Sequence, residues 1–255
     1  MTPNSVVPLR PFFTFFGGKW RLAPKYPAPL YDTIVEPFAG SAGYSVRYNA
    51  PNVVLFDADP TIVGVWQYLI GVSEREVLAL PDIAHDRTVD DYGLCPEARD
   101  FVGFWMNKAM TAPCNRPSKW LRSGIRPDSS WGVSTRERIA SQLGQIRHWQ
   151  AINQPWYTAP DIEATWFIDP PYKVRGSRYR FGSDLIDFDK LGEWCQARSG
   201  QVIACENEGA DWLPFVPFAD AKTARSNRSA EVVWYGPTGE SPDPIPQLTL
   251  FGDPS

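Results

Sequence analysis

The tetrapeptide Asp169-Pro170-Pro171-Tyr172 has the residue types needed to act on an exocyclic amine such as that of adenine. The nitrogen of such an amine is a weak nucleophile, because its lone pair is delocalised into the ring. The Asp169 carboxylate and the Pro170 carbonyl could accept its two N–H groups and localise the lone pair toward an incoming methyl group. The prolines fix φ at roughly −65° and lack N–H groups, which would hold that carbonyl in one direction. Tyr172 offers a face for a stacked base, which must leave the duplex for its amine to be reached.

The same four residues also fit a purely structural role. A pair of prolines often ends a strand, and Asp169 could cap the element that follows. The position of the motif favours the chemical interpretation, because residues 164–168 (ATWFI) predict a strand. Ligands of open α/β sheets bind beyond the carboxyl ends of the strands.

The elements that must position this motif predict an α/β fold with parallel strands, since strand and helix patterns alternate along the chain. Apolar runs predict strands at 33–36, 53–57, 164–168, 201–205 and 231–236. Helical spacing predicts helices at 44–48, 61–72, 97–110, 135–146 and 188–198.

A glycine-rich turn follows the first predicted strand. Gly40 and Gly43 flank Ala42, and glycine lets a ligand approach the backbone closely because it has no side chain. Asp57 ends the next strand, 21 residues after Glu36. An acid at about that spacing commonly bonds ribose hydroxyls in nucleotide-binding units. The alternative is a tight strand-to-helix connection with no ligand.

A second glycine pair lies near the N-terminus in Phe15-Phe16-Gly17-Gly18-Lys19. A lysine beside two glycines could reach a carboxylate or a phosphate. It could equally be a solvated loop lysine, because no clear strand precedes it.

Taken in order, the segments FFGGK, VEPFAGSAG, LFDADP and FIDPPY resemble the Dam-type DNA adenine methyltransferases of the alpha motif order, especially the compact versions carried by bacteriophages. The resemblance covers about residues 12–236. It implies a Rossmann-like sheet dependent on S-adenosylmethionine, with an inserted target-recognition region that is mostly helical or irregular. We therefore expect a catalytic domain at 1–82 and 141–236, the insertion at 83–140 and a flexible tail at 237–255.

The implied activity is transfer of a methyl group to N6 of adenine in a specific duplex sequence, by base flipping and without a metal, since the donor is a sulfonium. All four residues from 169 to 172 match the catalytic motif, and Asp57 matches the ribose acid, with Asp59 a second choice. Phe15 is a departure, because the family often has Trp or Tyr there, and Ala42 replaces a glycine. The resemblance assigns cofactor binding to Phe15, Gly17, Gly18, Lys19, Glu36, Pro37, Phe38, Gly40, Gly43, Asp57 and Asp169.

The net charge of −4 means that any nucleic-acid surface must be a local patch. Residues 101–150 contain eight Lys or Arg and two acids, with Trp120 and Trp131 among them, and basic runs follow at 173–180 and 224–229. Basic residues mixed with aromatics suit phosphate contacts and stacking near an extruded base, although a solvated basic face is the alternative. The predicted DNA contacts are Arg116, Lys119, Trp120, Arg122, Arg126, Lys173, Arg175, Arg178, Arg180, Arg225 and Arg228.

The proline-rich tail contains Gln247-Leu248-Thr249-Leu250-Phe251, which resembles the short peptide that binds bacterial sliding clamps. Gln247, Leu248, Leu250 and Phe251 would be its anchors, unless the tail folds back on the sheet edge. No apolar run reaches the roughly 18 residues of a membrane span, so a cytoplasmic protein of a bacterial or phage-infected cell is expected.

Three other functions stay open. Cytosine-N4 methylation uses the same amine chemistry, although its enzymes often have Ser in place of Asp169. Protein-amide methylation usually has Asn there, and the basic insertion disfavours it. A catalytically silent DNA-binding relative would not need the intact motif residues.

Overall fold

The computed structural model describes residues 8–108, 110–122, 130–174, 176–218 and 230–236, with the backbone alone for Trp120. These residues form seven strands, in chain order β1 (Thr33–Glu36), β2 (Asn52–Asp57), β3 (Gln150–Asn153), β4 (Ala164–Ile168), β5 (Gly200–Asn207), β6 (Val216–Pro217) and β7 (Glu231–Tyr235). The α-helices are α1 (Gly43–Tyr48), α2 (Pro60–Gly71), α3 (Glu74–Ala79), α4 (Pro96–Met106), α5 (Lys119–Arg122), α6 (Val133–Gln142) and α7 (Phe188–Gln196). Short 3₁₀ turns connect several of them, including Gly176–Arg178 and Ser183–Leu185.

The strands form one mixed sheet in the order β3-β2-β1-β4-β5-β7-β6. Strands β1 to β5 are parallel, whereas β7 runs antiparallel to both β5 and β6. The chain progresses from β1 toward β3 on one side and from β4 toward β5 on the other. The switch point therefore lies between β1 and β4, where ligands of doubly wound sheets bind. The predicted α/β fold with mostly parallel strands is confirmed, and the sheet is compatible with a Rossmann-like fold.

The central strands are buried because helices cover both faces of the sheet. All five residues of β4 and all eight of β5 are buried. One face packs on a cluster that includes Phe12, Trp66 and Phe101, and the other on a cluster around Trp166 and Leu191. In the described part of the chain, no helix is both long enough and apolar enough to cross a bilayer.

Helices α4 and α6 come from the segment assigned to the insertion, yet they belong to the larger of these two clusters. The Phe104 ring lies 5.0 Å from that of Phe13, and the Trp105 Nε1 donates to the Phe12 carbonyl at 3.1 Å. The described part of the segment 83–140 thus shares its core with the strands and helices that precede it. Whether it recognises DNA stays a prediction.

Trp131, one of the two tryptophans in the basic segment, offers no surface for stacking on an extruded base. Its side chain is buried, its Nε1 donates to the Pro81 carbonyl at 2.9 Å, and its ring packs against Phe101. The helix predicted at 97–110 ends at Met106, and the one predicted at 135–146 begins at Val133 and tightens into a 3₁₀ turn after Gln142.

Three arginines counted in the basic excess of 101–150 make internal contacts instead. Arg136 is buried and pairs with Asp82 at 2.6 Å. Arg138 donates to the Pro11 carbonyl at 3.0 Å, and Arg147 donates to carbonyls at the end of α2. The guanidinium groups of these three residues are therefore engaged within the fold.

The start of β5 generates a prediction about the alignment of β4 and β5. Gly200 has φ +97°, and a Cβ there would overlap the Ala164 carbonyl oxygen and lie 2.8 Å from the Ala164 nitrogen. Gly200→Ala should lower the free energy of unfolding in urea by about 2–4 kcal/mol, through backbone strain and overpacking. The matched control is Gly71→Ala, where nothing lies within 4 Å of the added Cβ. That change should be neutral or stabilising by up to about 1 kcal/mol. Equal losses in the two variants would contradict the prediction.

Candidate active site

A cavity of about 410 Å³ opens at the carboxyl ends of β1, β2 and β4, next to the switch point. It is lined by all of the cofactor residues expected from the sequence except Pro37, namely Phe15, Gly17, Gly18, Lys19, Glu36, Phe38, Gly40, Gly43, Asp57 and Asp169. Of the remaining catalytic residues, Pro171 lines the cavity and Pro170 is buried. The Tyr172 ring packs against Lys19, with its centroid 4.9 Å from Nζ. The fold thus brings together residues as far apart in the chain as Lys19 and Asp169, which are 150 positions apart.

The glycine turn after β1 is built by close backbone contacts. Gly40 has φ +46°, and a Cβ there would lie 3.1 Å from the Phe15 ring. A Cβ at Gly43 would lie 2.5 Å from the Trp20 nitrogen, so this glycine lets α1 pack directly on the Lys19–Trp20 backbone. Ala42, where the resemblance expects glycine, also has left-handed backbone at φ 46°. Glycine is favoured at such a position because it avoids the steric cost that Ala42 incurs.

Glu36 ends β1 with its side chain buried and facing the cavity. Its Oε1 accepts a hydrogen bond from the Ser45 N–H at 2.7 Å. Burial raises the pKa of this carboxyl to about 8, and the hydrogen bonds from Ser45 only partly oppose that rise. The protonated form of Glu36 therefore predominates at neutral pH.

Asp57 at the end of β2 braces the glycine turn. Its Oδ2 accepts from the Gly40 N–H at 3.0 Å and its Oδ1 from the Asp59 N–H at 2.9 Å. Burial raises the pKa of the Asp57 carboxyl to about 6. A carboxylate has about four acceptor positions, so two remain for hydroxyl groups in the cavity. The Asp59 side chain instead caps α2 by accepting from the Thr61 N–H.

One end of the cavity is aromatic, and the sequence predicted Phe38 there but not Trp156. Strand β3 leads into Asn153 and Trp156, and the Trp156 ring stacks on Phe38 with centroids 6.4 Å apart. The Asn153 side-chain amide donates to the Asp57 and Ala58 carbonyls, which ties β3 to the end of β2. This end could hold a flat ring. The only local signal is the Trp156-Tyr157 pair after a short polar strand, and no motif distinguishes it.

Lys19 is buried at 4% exposure and lies at the centre of a charged cluster. Its Nζ is 2.8 Å from Asp169 Oδ1, donates to Asp169 Oδ2 at 2.9 Å and lies 3.2 Å from Glu231 Oε1. It also donates to the Gly17 carbonyl and lies 4.9 Å from the Tyr172 ring centroid. The alternative of a solvated loop lysine is therefore wrong.

The two partners of this ion pair shape each other's charge state. Burial raises the pKa of Asp169, and the Lys19 ammonium opposes the rise. Burial alone would lower the pKa of Lys19, but the carboxylates of Asp169 and Glu231 outweigh it and raise that pKa. Asp169 Oδ1 is close to Nζ but accepts no well-oriented hydrogen bond from any described residue. Oδ1 is itself buried, so the acceptor position that it leaves unfilled lies inside the protein.

Glu231 is the functional candidate that the sequence analysis missed. It opens β7, and its Oε1 accepts from the Tyr172 hydroxyl at 2.8 Å, while Oε2 accepts from the Tyr26 hydroxyl at 3.2 Å. An acid at the start of the apolar run EVVWYG is the only signal in the sequence.

The segment after Tyr172 folds over the cavity mouth. A Cβ at Gly176 would lie 2.5 Å from the Pro171 carbonyl carbon, so the chain turns back tightly here. The Tyr179 ring packs beside Phe15 and Phe16, and its hydroxyl donates to the Phe16 carbonyl. Arg180 lines the cavity, 3.7 Å from Asp59.

The predicted DNA contacts fall into three groups. Arg116, Lys119, Arg122 and Arg178 are exposed, consistent with the solvated basic face as well as with DNA contact. Lys173 pairs with Asp211 at 2.7 Å, and Arg180 belongs to the cavity wall. Arg126, Arg175, Arg225, Arg228 and the tail peptide with Gln247, Leu248, Leu250 and Phe251 lie outside the described residues. The side chain of Trp120 lies outside them too.

The raised pKa of Glu36 generates a prediction about stability. The folded pKa of about 8 exceeds the ordinary value of 4.5, so folding favours the protonated acid. The contribution of Glu36 to the free energy of unfolding is complete below pH 4.5 and is lost as the pH rises to 8. Across that range the free energy of unfolding of wild type should fall relative to that of Glu36→Gln by on the order of 3–5 kcal/mol, at about 1.4 kcal/mol per pH unit. Urea unfolding at several pH values measures this. The exposed control Glu74→Gln should follow wild type, and parallel curves for wild type and Glu36→Gln would refute the assignment.

Comparisons with known proteins add no assignment to this geometry. No protein-family model and no curated protein matches the chain.

Proposed function

We propose that this protein is a DNA methyltransferase that moves a methyl group from S-adenosylmethionine to N6 of adenine in a specific duplex sequence, after flipping the base. One observation carries the proposal. The cavity that contains the glycine turn, Glu36 and Asp57 opens directly onto Asp169 and Pro171 at the end of β4. Under this proposal, the residues that bind the nucleotide part of the cofactor and the acceptor for the aromatic amine share one edge of the sheet.

The size and the chemistry of the cavity support S-adenosylmethionine as the proposed cofactor. About 410 Å³ is within the range of small-molecule sites, and the turn at Gly40 lets a ligand reach the backbone. Asp57 has acceptors for ribose hydroxyls, Phe38 and Trp156 suit the adenine ring, and buried Glu36 suits a cationic group. When bound, the cofactor would supply the methyl group as an electrophilic sulfonium.

The residues of the chain would then act on the target base. Asp169 accepts one N6–H bond, which localises the lone pair of the nitrogen, and the Pro170 carbonyl is the proposed second acceptor. Once N6 has gained the methyl group it must lose a proton, and Asp169, which already accepts one N6–H bond and whose pKa is raised by burial, is the proposed acceptor of that proton. Lys19 favours the ionised carboxylate that this role requires.

Double-stranded DNA is the proposed partner. Exposed Arg116, Lys119, Arg122 and Arg178 would contact phosphates. Thr111 lines the cavity. Its hydroxyl donates to the Arg178 carbonyl, which connects the segment before Arg116 to the segment around Arg178. Binding of a sliding clamp by the tail remains a separate proposal that rests on the sequence alone.

Transfer of a labelled methyl group to duplex DNA, followed by analysis of the nucleosides, tests the proposal. We expect N6-methyladenine from wild type and a loss of roughly 100-fold or more in kcat for Asp169→Ala, the scale of one preorganised polar contact in an active site. The exposed Asp211→Asn change should leave kcat within about twofold, as expected for a surface ion pair. N4-methylcytosine as the product would favour the cytosine alternative. Tight DNA binding without any transfer would favour the silent DNA-binding relative.

Cofactor binding should release a proton from Glu36. A cation in the cavity lowers the pKa of Glu36 from about 8, so a carboxyl that is mostly protonated at pH 7 ionises on binding. Titration calorimetry with S-adenosylmethionine at pH 7, in buffers of different ionisation enthalpy, should show this release in wild type. The release should be smaller by up to one proton in Glu36→Gln and unchanged in Glu74→Gln. Identical slopes in wild type and Glu36→Gln would contradict this role.

A further inference from the structure

We propose that Glu231 is a positioning residue for methyl transfer, which orients Tyr172 and Lys19 and whose negative charge makes the site prefer the cationic methyl donor over its neutral product. The inference rests on the proposed function. It concerns a residue on β7, the strand that runs antiparallel to its neighbour β5.

The geometry places one carboxylate oxygen between two groups of the reaction centre. Glu231 Oε1 is 2.8 Å from the Tyr172 hydroxyl and 3.2 Å from Lys19 Nζ. The other oxygen accepts from the Tyr26 hydroxyl, so the carboxylate is held from both sides. Because Glu231 pairs with Asn207 in the sheet, its backbone position is set by the strand register.

Glu231 fixes the ring of Tyr172. A tyrosine has a single hydroxyl, and here that group donates to Glu231 while Lys19 lies 4.9 Å from the ring centroid. These two contacts hold the face on which a flipped base would stack. A stacking residue held by packing and hydrogen bonds loses less conformational entropy when the base arrives.

Glu231 also changes the charge balance of the cluster. Lys19 carries one positive charge, and Asp169 and Glu231 carry one negative charge each, which leaves an excess of one negative charge. The methyl donor carries a sulfonium charge that is lost when it becomes the thioether product. The excess charge therefore attracts the donor more than the product, and this difference reduces product inhibition.

The charge acts on Asp169 as well. Groups from several elements lie within electrostatic reach of Asp169, namely Lys19, Tyr26, Glu36, Tyr172, Tyr179, Cys205, Glu206 and Glu231. Among them Lys19 lowers the pKa of Asp169, whereas Glu231 raises it. Removing the Glu231 charge should therefore lower the pKa of Asp169.

Glu231→Gln separates charge from hydrogen bonding, since its amide oxygen can still accept from Tyr172. We expect the acidic limb of the kcat–pH profile to move to lower pH. The ratio of the dissociation constant of S-adenosylhomocysteine to that of S-adenosylmethionine should fall roughly five- to tenfold, the scale of one partly screened charge contact. Glu208→Gln, an exposed change just beyond β5, should alter neither quantity.

Tyr172→Phe isolates the other half of the inference and serves if Glu231→Gln folds poorly. It removes the hydroxyl that binds Glu231 and keeps both the ring and the charges. We expect a lower kcat with the binding ratio unchanged, and an acidic limb that does not move to lower pH, because the Tyr172 hydroxyl itself lowers the pKa of Asp169. The inference is overturned if Glu231→Gln keeps the wild-type ratio of dissociation constants and the wild-type pH profile. It is also overturned if Tyr172→Phe keeps the wild-type kcat.

The binding ratio also separates this inference from the proposed function. It needs neither DNA nor turnover, so a fall in the ratio supports the charge role even where no DNA is methylated. Absence of methyl transfer by wild type counts against the proposed function alone. If wild type binds neither compound, both are overturned.

Discussion

The buried contact between Lys19 and Asp169 is the interaction on which the rest of the site depends. Two opposite charges are stable inside a protein only when each compensates the other. Asp169 alone would be driven toward the neutral acid by burial, and Lys19 alone would be driven toward the neutral amine. Their pairing keeps a carboxylate at the end of β4 and anchors the N-terminal loop over the switch point.

This pairing requires loops to approach one another more closely than side chains would allow. Gly43 lets α1 contact the backbone beside Lys19, and Gly176 lets the chain fold back onto Pro171. These glycines act in packing, in addition to any contact they make with a ligand. Glycines in this chain thus let segments of the protein pack closely together, and several of them also line the cavity.

Basic residues in this chain serve two different purposes. Arg136, Arg138 and Arg147 lie inside or against the fold, where carboxylates and backbone carbonyls accept their hydrogen bonds. Arg116 and Arg178 project from the surface and are available to an anionic partner. Local charge counts treat both kinds alike, which is why the excess across 101–150 overstates the basic surface.

Local patterns predicted most of the α/β alternation, the turn after β1 and the position of Asp169 after a buried strand. They could do so because burial periodicity and turn chemistry are short-range properties. They were not enough for β3, Trp156 or Glu231. The partner of Lys19 is 150 residues away, and Glu231 meets Tyr172 only because β7 lies antiparallel to β5. Strand order is set by packing of the whole sheet, so only the tertiary structure could decide which carboxylates surround Lys19.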